Sequence, residues 1–310
     1  MARVSDDVSV VIPAFNAERT LERALASVRA QTVAPTEVIV VDDGSRVPVA
    51  SVLRNPGPRV RILRQANAGA AAARNAGIRE ARGAWIAFLD ADDVWLPNRL
   101  EAQLRAIERH PDLGFVWGFY YVHSVETGEE TLTRSRCAPD MRVVLSPEEA
   151  FRVAYRIQTS SVLARRRLLL ETPFDASLQT AEDRDVWIRL LLRVPALCVG
   201  EPVAIHNEHK SSLSNADIDS DARNMLRVIA RYERLLGPNQ TRLREADVYR
   251  RWAGVLLAKG RASAAIRPAL QYLRREPASP NAWYVALRTA FALGVSRPVW
   301  RAVATKGNWR

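Results

Sequence analysis

Three short apolar segments in the first ninety residues each stop abruptly at polar or acidic residues. The segments are VSVVI (8–12), EVIVV (37–41) and AWIAFL (84–89). Stretches with helical spacing separate them, and this alternation predicts an α/β fold with an open, mostly parallel sheet flanked by helices. Ligands of such sheets bind beyond the carboxyl ends of the strands. Here those ends carry PAFN (13–16), DDGS (42–45) and DADD (90–93).

The alternating pattern continues to about residue 215 and then changes to helices only. Two further strands are predicted at VRIL (60–63) and LGFVWGFYYVH (113–123), and the second turns back as a hairpin through ETGEE. We therefore predict an α/β domain over residues 1–215 and a C-terminal all-helical region over 216–310. One helical pair, 252–275 with Gly260 at its turn, resembles a single tetratricopeptide unit.

The net charge of +11 lies entirely in the helical region. Residues 1–215 hold 27 basic and 27 acidic side chains, and residues 216–310 hold 18 and 7. Such asymmetry indicates an anionic neighbour, although 42 of the 45 basic residues are arginine, which a base-composition bias also produces. We expect a peripheral membrane surface rather than nucleic acid, because the α/β domain is charge-neutral. Tryptophans that suit an interface, or that alternatively pack the helices together, are Trp252, Trp283, Trp300 and Trp309.

The sequence contains no signal of membrane insertion or secretion. No stretch approaches the ~18 consecutive apolar residues of a transmembrane helix, and the N-terminus lacks a signal-peptide pattern. The two cysteines, Cys137 and Cys198, are expected to be buried free thiols in a reducing compartment. The predicted location is therefore cytoplasmic, with peripheral attachment at the inner membrane face as an added expectation.

Three carboxylates at the mouth of a buried strand require a cation nearby, because they repel one another. Asp90 and Asp92 form an Asp-x-Asp array that suits Mn²⁺ or Mg²⁺, which typically takes one or two carboxylates plus substrate phosphates. The turn PAFNAE contains no glycine and no Walker loop is present, so side chains and a metal would hold a nucleotide. The alternative for a lone array of this kind is a helix cap before Pro97, and Asp93 is the candidate cap.

Taken together, these motifs closely resemble the family 2 glycosyltransferases of the GT-A fold. The resemblance covers about residues 8–215 and rests on VSVVIPAFNAERTLERALASVRAQT, EVIVVDDGS and NAGAAAARNAGIREARGAWIAFLDADD. It implies that Asp43, with Asp42 beside it, binds the nucleobase, and that Asp90 lies near ribose and metal. The residues that it assigns to nucleotide binding are Pro13, Phe15, Asn16, Asp42, Asp43, Asn67, Arg74 and Asp90. For Asn67 and Gly69 the alternative is a helix cap and turn.

The resemblance also implies a catalytic base in a late Glu-Asp pair that opens a helix. Here this is TAEDRDVWIRLLLR (180–193), so Asp183 is the expected base and Glu182 its partner. Inverting transfer needs one carboxylate to accept the acceptor proton, and a metal stabilises the leaving group. Considered alone, Glu182, Asp183 and Asp185 also fit as favourable acids in a first helical turn. Trp187 is expected in the core or in the wall of an acceptor pocket.

A third motif of the family is a histidine before a serine-containing turn that closes over the metal. In IHNEHKSSLS (205–214), His209 stands three residues before Ser212 and is the expected metal ligand with Asp90 and Asp92; His206 is the alternative. A basic residue common just upstream is missing, since Val203 and Ala204 stand there. The segment HKSSLS is alternatively a plain loop.

The expected function is therefore metal-dependent, inverting transfer of a sugar from a nucleotide-diphosphate sugar to a hydroxyl acceptor. A glycan, a lipid-linked saccharide or a polysaccharide is the expected acceptor. Two alternatives remain open. A nucleotidyltransferase would normally carry a glycine-rich basic loop after the first strand, unlike PAFNAE, and a non-catalytic sugar-nucleotide-binding scaffold would not need Asp183.

Overall fold

A computed structural model of the chain describes residues 7–53, 56–135, 138–209 and 217–293. The chain divides into two compact units, Met1–Ser212 and Leu213–Arg310. Each unit has its own hydrophobic cluster of buried residues. The predicted boundary between residues 215 and 216 lies outside the described residues.

The N-terminal unit is a ten-stranded sheet with helices packed around it. Its strands are β1 (Val8–Ala14), β2 (Glu37–Asp42), β3 (Val60–Arg64), β4 (Trp85–Phe88), β5 (Val94–Trp95), β6 (Phe115–Ser124), β7 (Glu130–Thr133), β8 (Arg142–Val143), β9 (Leu163–Arg165) and β10 (Ala196–Glu208). Its helices are α1 (Leu21–Arg29), α2 (Val49–Val52), α3 (Ala70–Glu80), α4 (Arg99–Arg109), α5 (Pro147–Ala154), α6 (Arg166–Glu171) and α7 (Glu182–Leu191). A short 3₁₀ turn, Thr159–Ser161, precedes β9.

The sheet runs in the order β3-β2-β1-β4-β9-β6-β10-β5, with β7 beside β6 and β8 beside β10. Strands β3, β2, β1 and β4 are parallel, so their carboxyl ends share one edge. The α/β fold is confirmed, but the sheet is mixed rather than mostly parallel. Among the described residues, four strand pairs are parallel and five are antiparallel. All five antiparallel pairs involve one of the short strands β5, β7, β8 and β9, which are too brief to show a clear apolar pattern.

The parallel half of the sheet is the buried core that supports the strand ends. Nearly every residue of β1, β2 and β4 is buried. Helix α3 approaches β1 so closely that a Cβ atom on Gly77 would lie 2.5 Å from Cγ1 of Val11. This contact explains why α3 is built mainly from alanine and glycine, and it fixes α3 directly over the strand that leads to the candidate site.

Aromatic side chains fill the core beneath α7. The ring of Trp187 lies 5.2 to 5.7 Å from the rings of Phe88, Phe115 and Phe174, measured between centroids. Trp187 is fully buried, which settles its two predicted positions in favour of the core. The start of α7 is therefore anchored to β4 and β6.

Several smaller predictions can also be compared with the structure. The predicted hairpin is confirmed, since β6 and β7 pair with Tyr121 opposite Leu132. Cys198 is a buried free thiol as expected, whereas Cys137 lies outside the described residues. Among the described residues, none of the helices combines the length and apolar character that crossing a membrane requires.

The C-terminal unit is all-helical in its described part. Its helices are α8 (Ile218–Arg231), α9 (Glu233–Ala258), α10 (Ala262–Arg275) and α11 (Pro280–Ala292). Helix α9 is interrupted at Gly237, which has a φ of 71° and is followed by Pro238. The predicted helical hairpin is confirmed, because α9 and α10 pack together around Gly260, whose φ is 70°.

The two described tryptophans of this unit both donate hydrogen bonds within it. The indole N–H of Trp252 donates to Asp219 at 2.6 Å, and the ring stacks on Tyr249. The indole N–H of Trp283 donates to the carbonyl of Pro277 at 2.8 Å. For Trp252, which also packs against the cluster of Ile218, Leu256 and Ala265, the packing alternative is confirmed. For Trp283 it stays a prediction, and Trp300 and Trp309 lie outside the described residues.

Candidate active site

The loops that follow β1 and β2 are hydrogen-bonded to each other. The N–H of Asn16, a residue with a φ of 50°, donates to Oγ of Ser45 at 3.0 Å, and Oδ1 of Asn16 accepts from the N–H of Arg46 at 2.9 Å. Gly44 has a φ of 76°, and a Cβ atom there would lie 2.7 Å from the backbone nitrogen of Asn67. Only glycine fits this position, so the DDGS loop and the loop before α3 pack closely together.

The first acid of DDGS, Asp42, organises its own loop. Its buried carboxylate accepts hydrogen bonds from the N–H groups of Ser45 (2.9 Å) and Val49 (3.1 Å) and from Nη1 of Arg64 (2.5 Å). Burial by itself would raise the pKa of Asp42, but these donors outweigh it and lower the pKa. Asp42, which was predicted to lie beside a nucleobase, thus hydrogen-bonds to the loop between β2 and α2.

The second acid, Asp43, holds the loop that leads into α3. Its carboxylate accepts hydrogen bonds from Nε2 of Gln65 at 2.8 Å and from the N–H groups of Ala68 (3.0 Å) and Gly69 (2.8 Å). An ionised carboxylate has about four acceptor positions, so about one remains for a ligand donor.

The remaining residues predicted for the base pocket differ in exposure. Phe15 is 52% exposed at the end of β1, and Asn16 and Asn67 are exposed in their loops. Pro13 is partly buried within β1.

Among the acids of DADD, Asp93 is fully buried and fully hydrogen-bonded. It accepts from Oγ of Ser160 (2.6 Å), Nε2 of Gln158 (3.1 Å), the N–H of Asn207 (3.0 Å) and Nδ1 of His206 (3.0 Å). Burial would raise its pKa, but His206 and the other donors lower it. The prediction that Asp93 caps a helix is wrong, because α4 begins at Arg99 with Asn98 at the cap position.

His206 is the cation that the fold provides for Asp93. Burial lowers the pKa of this imidazole, but the hydrogen bond and charge of Asp93, with smaller effects of Asp90 and Asp92, raise it to about 9. The ring is therefore protonated at neutral pH and donates through Nδ1 to Asp93. His206, the alternative metal ligand, thus pairs with Asp93 through Nδ1, and its role toward a metal stays a prediction.

Arg74 is the cation that the fold provides for Asp90, and it also reaches the second acidic motif. Its guanidinium is buried, donating from Nη2 to Asp90 and from Nη1 to Glu182, both at 2.7 Å. It also lies over the ring of Phe174 at 5.5 Å. Burial opposes its charge, yet the two carboxylates raise its pKa further. One residue of α3 therefore joins the end of β4 to the start of α7, which are 92 positions apart in the sequence.

The first turn of α7 carries the predicted base. It begins after Ala181, a residue in the left-handed region with a φ of 62°. Burial and the charge of Asp183 raise the pKa of Glu182 to about 7, against the opposing effect of Arg74. Asp183 accepts from Oγ1 of Thr159 at 3.3 Å and from the N–H of Arg184 at 2.7 Å, and it is only partly buried.

Asp92 is the acid of DADD that has no ion-pair partner in the described part of the chain. Among the described residues, no arginine, lysine or histidine forms an ion pair with its carboxylate. Burial, followed by the charges of Asp93 and Asp90, raises its pKa to about 7. Its backbone is nevertheless fixed, since its carbonyl accepts from Nδ2 of Asn207 at 2.7 Å and from Arg23 at 3.1 Å.

Asp90, Asp92 and His209 are the residues predicted to bind a metal. Within the described part of the chain, no group of three or more His, Cys, Asp or Glu residues is arranged to hold an ion. Magnesium-type ions do not require such a cage, because they usually take one or two carboxylates plus phosphates and water. The hard, un-neutralised oxygens of Asp92 fit an ion of this class. His209 directly follows β10, and the rest of HKSSLS lies outside the described residues.

The 3₁₀ turn before β9, with Gln158 just ahead of it, contributes site residues that the sequence did not reveal. Ser160 donates to Asp93 and accepts from the N–H of Asp90 at 3.0 Å, while Thr159 donates to Asp183. Two side chains of α4 hydrogen-bond to the backbone of this turn. Arg99 donates to the carbonyl of Val162 at 2.6 Å, and Gln103 donates to the carbonyl of Ser161 at 2.8 Å. The only sequence signal was a short polar run, QTSS, which is typical of any loop.

The family model described as Glycosyl transferase family 2 matches residues 9–169, just over half of the chain. The chain belongs to this family. It is 38% identical over 117 residues to UDP-Glc:alpha-D-GlcNAc-diphosphoundecaprenol beta-1,3-glucosyltransferase WfgD of Escherichia coli, covering 37% of this chain and 46% of that protein. It is 33% identical over 193 residues to the succinoglycan biosynthesis protein ExoW of Rhizobium meliloti, covering 57% and 60%. The chain thus spans about half the length of these curated relatives.

Solved structures of a more distant protein share the fold. The crystal structure of S. aureus TarS 1–349 superposes with a TM-score of 0.64 at 16% identity, covering 98% of this family 2 chain and 93% of that chain. TarS 1–349 has also been solved with UDP and with UDP-GlcNAc. This likeness confirms the predicted GT-A fold class.

The double ion pair of Arg74 predicts a large stability loss on substitution. Arg74→Met leaves the buried carboxylate of Glu182 and the partly buried carboxylate of Asp90 without their cation, so the free energy of unfolding should fall by ~3–5 kcal/mol in urea denaturation. Arg61 is the matched control, because it also bridges two carboxylates, Glu37 and Glu80, but is a third exposed (34%). Arg61→Met should cost about 1 kcal/mol. Equal losses for the two variants would contradict the central role of Arg74.

The raised pKa of His206 predicts that its protonated ring stabilises the folded protein and that this stabilisation is lost in alkali. The folded pKa of about 9 exceeds the usual value of ~6.5. The stabilisation is therefore fully present below pH ~6.5 and is lost as pH rises through 9. Histidine NMR titration of the metal-free protein should show a resonance with this pKa that is missing in His206→Gln. Urea unfolding should show less loss of stability between these pH values in the variant. A His206 resonance titrating at or below pH 6.5 would refute the imidazolium–Asp93 pair.

Proposed function

We propose that this family 2 member is a metal-dependent, inverting glycosyltransferase that moves a sugar from a nucleoside-diphosphate sugar to a hydroxyl acceptor. The observation that carries the proposal is the bridge from Arg74 to both Asp90 and Glu182. It joins the Asp-x-Asp loop and the Glu-Asp turn to the two terminal nitrogens of one guanidinium, so the proposed donor side and base side are neighbours. Family membership and the UDP complexes of TarS support the same reaction class.

The donor side would bind the nucleotide through side chains rather than through a glycine-rich loop. The remaining acceptor position of Asp43 suits an N–H group of a nucleobase, and the exposed ring of Phe15 offers it an apolar surface. A donor diphosphate would approach Asp92, and the two anions repel unless a cation lies between them. Asp92, Asp90 and His209 would hold Mn²⁺ or Mg²⁺. When bound, such an ion supplies positive charge that stabilises the departing diphosphate.

The base side would act on the acceptor. The carboxylate of Asp183 accepts the hydroxyl proton while the acceptor oxygen forms a bond to the anomeric carbon, on the face opposite the diphosphate. The bond from that carbon to the diphosphate oxygen breaks, and its electron pair leaves with the nucleoside diphosphate, so the configuration inverts. Thr159 donates to Asp183 and orients it. Glu182, held by Arg74, fixes the turn without touching the reacting atoms.

The acceptor is proposed to be a growing glycan, either lipid-linked or part of a polysaccharide. The printed name of the E. coli relative specifies a saccharide on diphosphoundecaprenol, and the Rhizobium relative serves succinoglycan synthesis. UDP is the first nucleotide to examine, because it occurs both in the name of one relative and in a structure of TarS.

A charge-neutral substitution of the base should separate binding from chemistry. In Asp183→Asn, UDP with Mn²⁺ should raise the melting temperature as much as in the wild type, because the nucleotide pocket is unchanged. Hydrolysis of UDP-glucose or UDP-GlcNAc, with water as the acceptor, should fall by ~10² to 10⁴. Asp112→Asn, which removes an exposed carboxylate paired with Arg142, is the control and should hydrolyse normally.

Three outcomes would contradict parts of this proposal. Normal hydrolysis by Asp183→Asn would assign the base to another residue. Undiminished turnover in excess chelator would exclude a metal-dependent reaction. UDP binding by the wild type with no turnover of any sugar nucleotide tested would favour the non-catalytic scaffold.

A further inference from the structure

Helices α10 and α11 of the C-terminal unit share an exposed apolar surface. We call it the outer face and define it by Ile266, Leu270, Tyr284, Leu287, Phe291 and Leu293, whose exposed fractions run from 38% to 66%. A groove between the two helices, lined by Ile266, Leu270 and Leu293 together with small side chains, makes part of this surface continuous. Single exposed apolar residues need no explanation, but a cluster on two adjacent helices indicates a binding surface.

Helix α11 shows most clearly that the outer face is more than a by-product of packing. Its inner side buries Ala282, Val285 and Thr289. Its opposite side presents Tyr284, Leu287 and Phe291, which are three and four residues apart and therefore lie on one face. Only one of its 13 residues, Arg288, is charged. A helix that is apolar on both sides normally has a partner on each.

The charges around the outer face are all positive. Neither α10 nor α11 contains an aspartate or a glutamate. Arg267, Arg274 and Arg288 are exposed and form no ion pair with any described residue. Elsewhere in the same unit, arginines are matched by acids in the pairs Arg251–Asp221 (3.3 Å), Arg261–Asp219 (2.9 Å) and Arg275–Glu245 (2.7 Å). Arg227 of α8 and Arg234 of α9 are likewise exposed and form no ion pair with a described residue, so what distinguishes the outer face is that its two helices combine exposed apolar side chains with arginines and contain no acid.

We propose that the outer face docks peripherally on an anionic membrane surface. Apolar and aromatic side chains flanked by arginines, without acids, are the composition of a helix that lies in the interface plane. The long arginine stems can follow the apolar surface while the guanidinium groups reach lipid phosphates. This inference does not depend on the transfer reaction, and it places the contact on Tyr284, Leu287 and Phe291 rather than on the tryptophans.

Charge argues against the two other available occupants. A second copy of the chain would bring the three unpaired arginines against three more. The segment that follows the outer face, residues 294–310, contains Arg297, Arg301, Lys306 and Arg310 and no acid, so it carries the same sign of charge. The negative charge of an anionic lipid surface is complementary to the outer face. A second copy and the segment 294–310 are both positively charged there, so the outer face repels them.

Vesicle co-sedimentation of the full chain tests the charge requirement. We expect binding to vesicles of 70% phosphatidylcholine and 30% phosphatidylserine but not to pure phosphatidylcholine, and weaker binding as salt rises. The triple variant Arg267→Gln, Arg274→Gln, Arg288→Gln should bind about 100-fold more weakly, since each basic residue near the leaflet contributes ~1 kcal/mol. The triple variant Arg59→Gln, Arg79→Gln, Arg152→Gln makes the same charge change in the N-terminal unit and should bind like the wild type.

A second pair of variants tests the apolar requirement. Leu287→Ser with Phe291→Ser should reduce binding to the anionic vesicles without altering the circular dichroism spectrum, because both side chains are exposed. Leu235→Ser, which removes a 60% exposed leucine of α9, should leave binding unchanged. No binding to anionic vesicles at low salt, or equal losses in outer-face and control variants, would overturn the proposal. Self-association in analytical ultracentrifugation that Phe291→Ser abolishes would instead assign the outer face to a second copy.

Discussion

The buried guanidinium of Arg74 is the interaction on which the rest of the candidate site depends. Asp90 lies two residues after β4, and Glu182 opens α7, so the two carboxylates belong to elements far apart in the chain. Without the shared cation, the buried Glu182 and the partly buried Asp90 would repel each other. Close packing of α3 on β1, enforced at Gly77, fixes the helix that carries this arginine. A core contact therefore sets the geometry of the acidic motifs.

The acids of DADD are neutralised unequally by the protein. Arg74 compensates Asp90, and His206 compensates Asp93, which is saturated with hydrogen bonds. Asp92 lies in the field of both neighbours, and no described residue forms an ion pair with it. The repulsion between these carboxylates opposes folding. An external cation that binds together with the donor would remove this repulsion.

The sequence predicted the parallel half of the fold well, because each strand there is an apolar run that ends at a polar motif. In the antiparallel half the β6–β7 hairpin was predicted, but β5, β8 and β9 were missed because they are only two or three residues long. The DADD motif after β4 and the Glu-Asp pair that opens α7 were both identified. Their connection through Arg74 was not, because Arg74 and Glu182 are 108 positions apart. The 3₁₀ turn carries no periodic signal. The prediction for Asp93 was wrong because the cap position of α4 is Asn98, five residues further along the chain. In the C-terminal region, helical spacing predicted an all-helical unit and the hairpin of α9 with α10, while exposure of the outer face depends on packing that spacing cannot show.

The most direct test of this account is the response of Asp92→Asn to metal and nucleotide, measured as melting temperature at pH 8. Without metal, the variant should melt at or above the wild-type temperature, because a carboxylate repelled by Asp90 and Asp93 has been removed. Mn²⁺ with UDP should stabilise the wild type and should no longer stabilise the variant. Asp93→Asn, which disturbs a saturated hydrogen-bond network, should melt lower and serves as the comparison. An Asp92→Asn protein that melts well below wild type and still responds to Mn²⁺ with UDP would contradict the account.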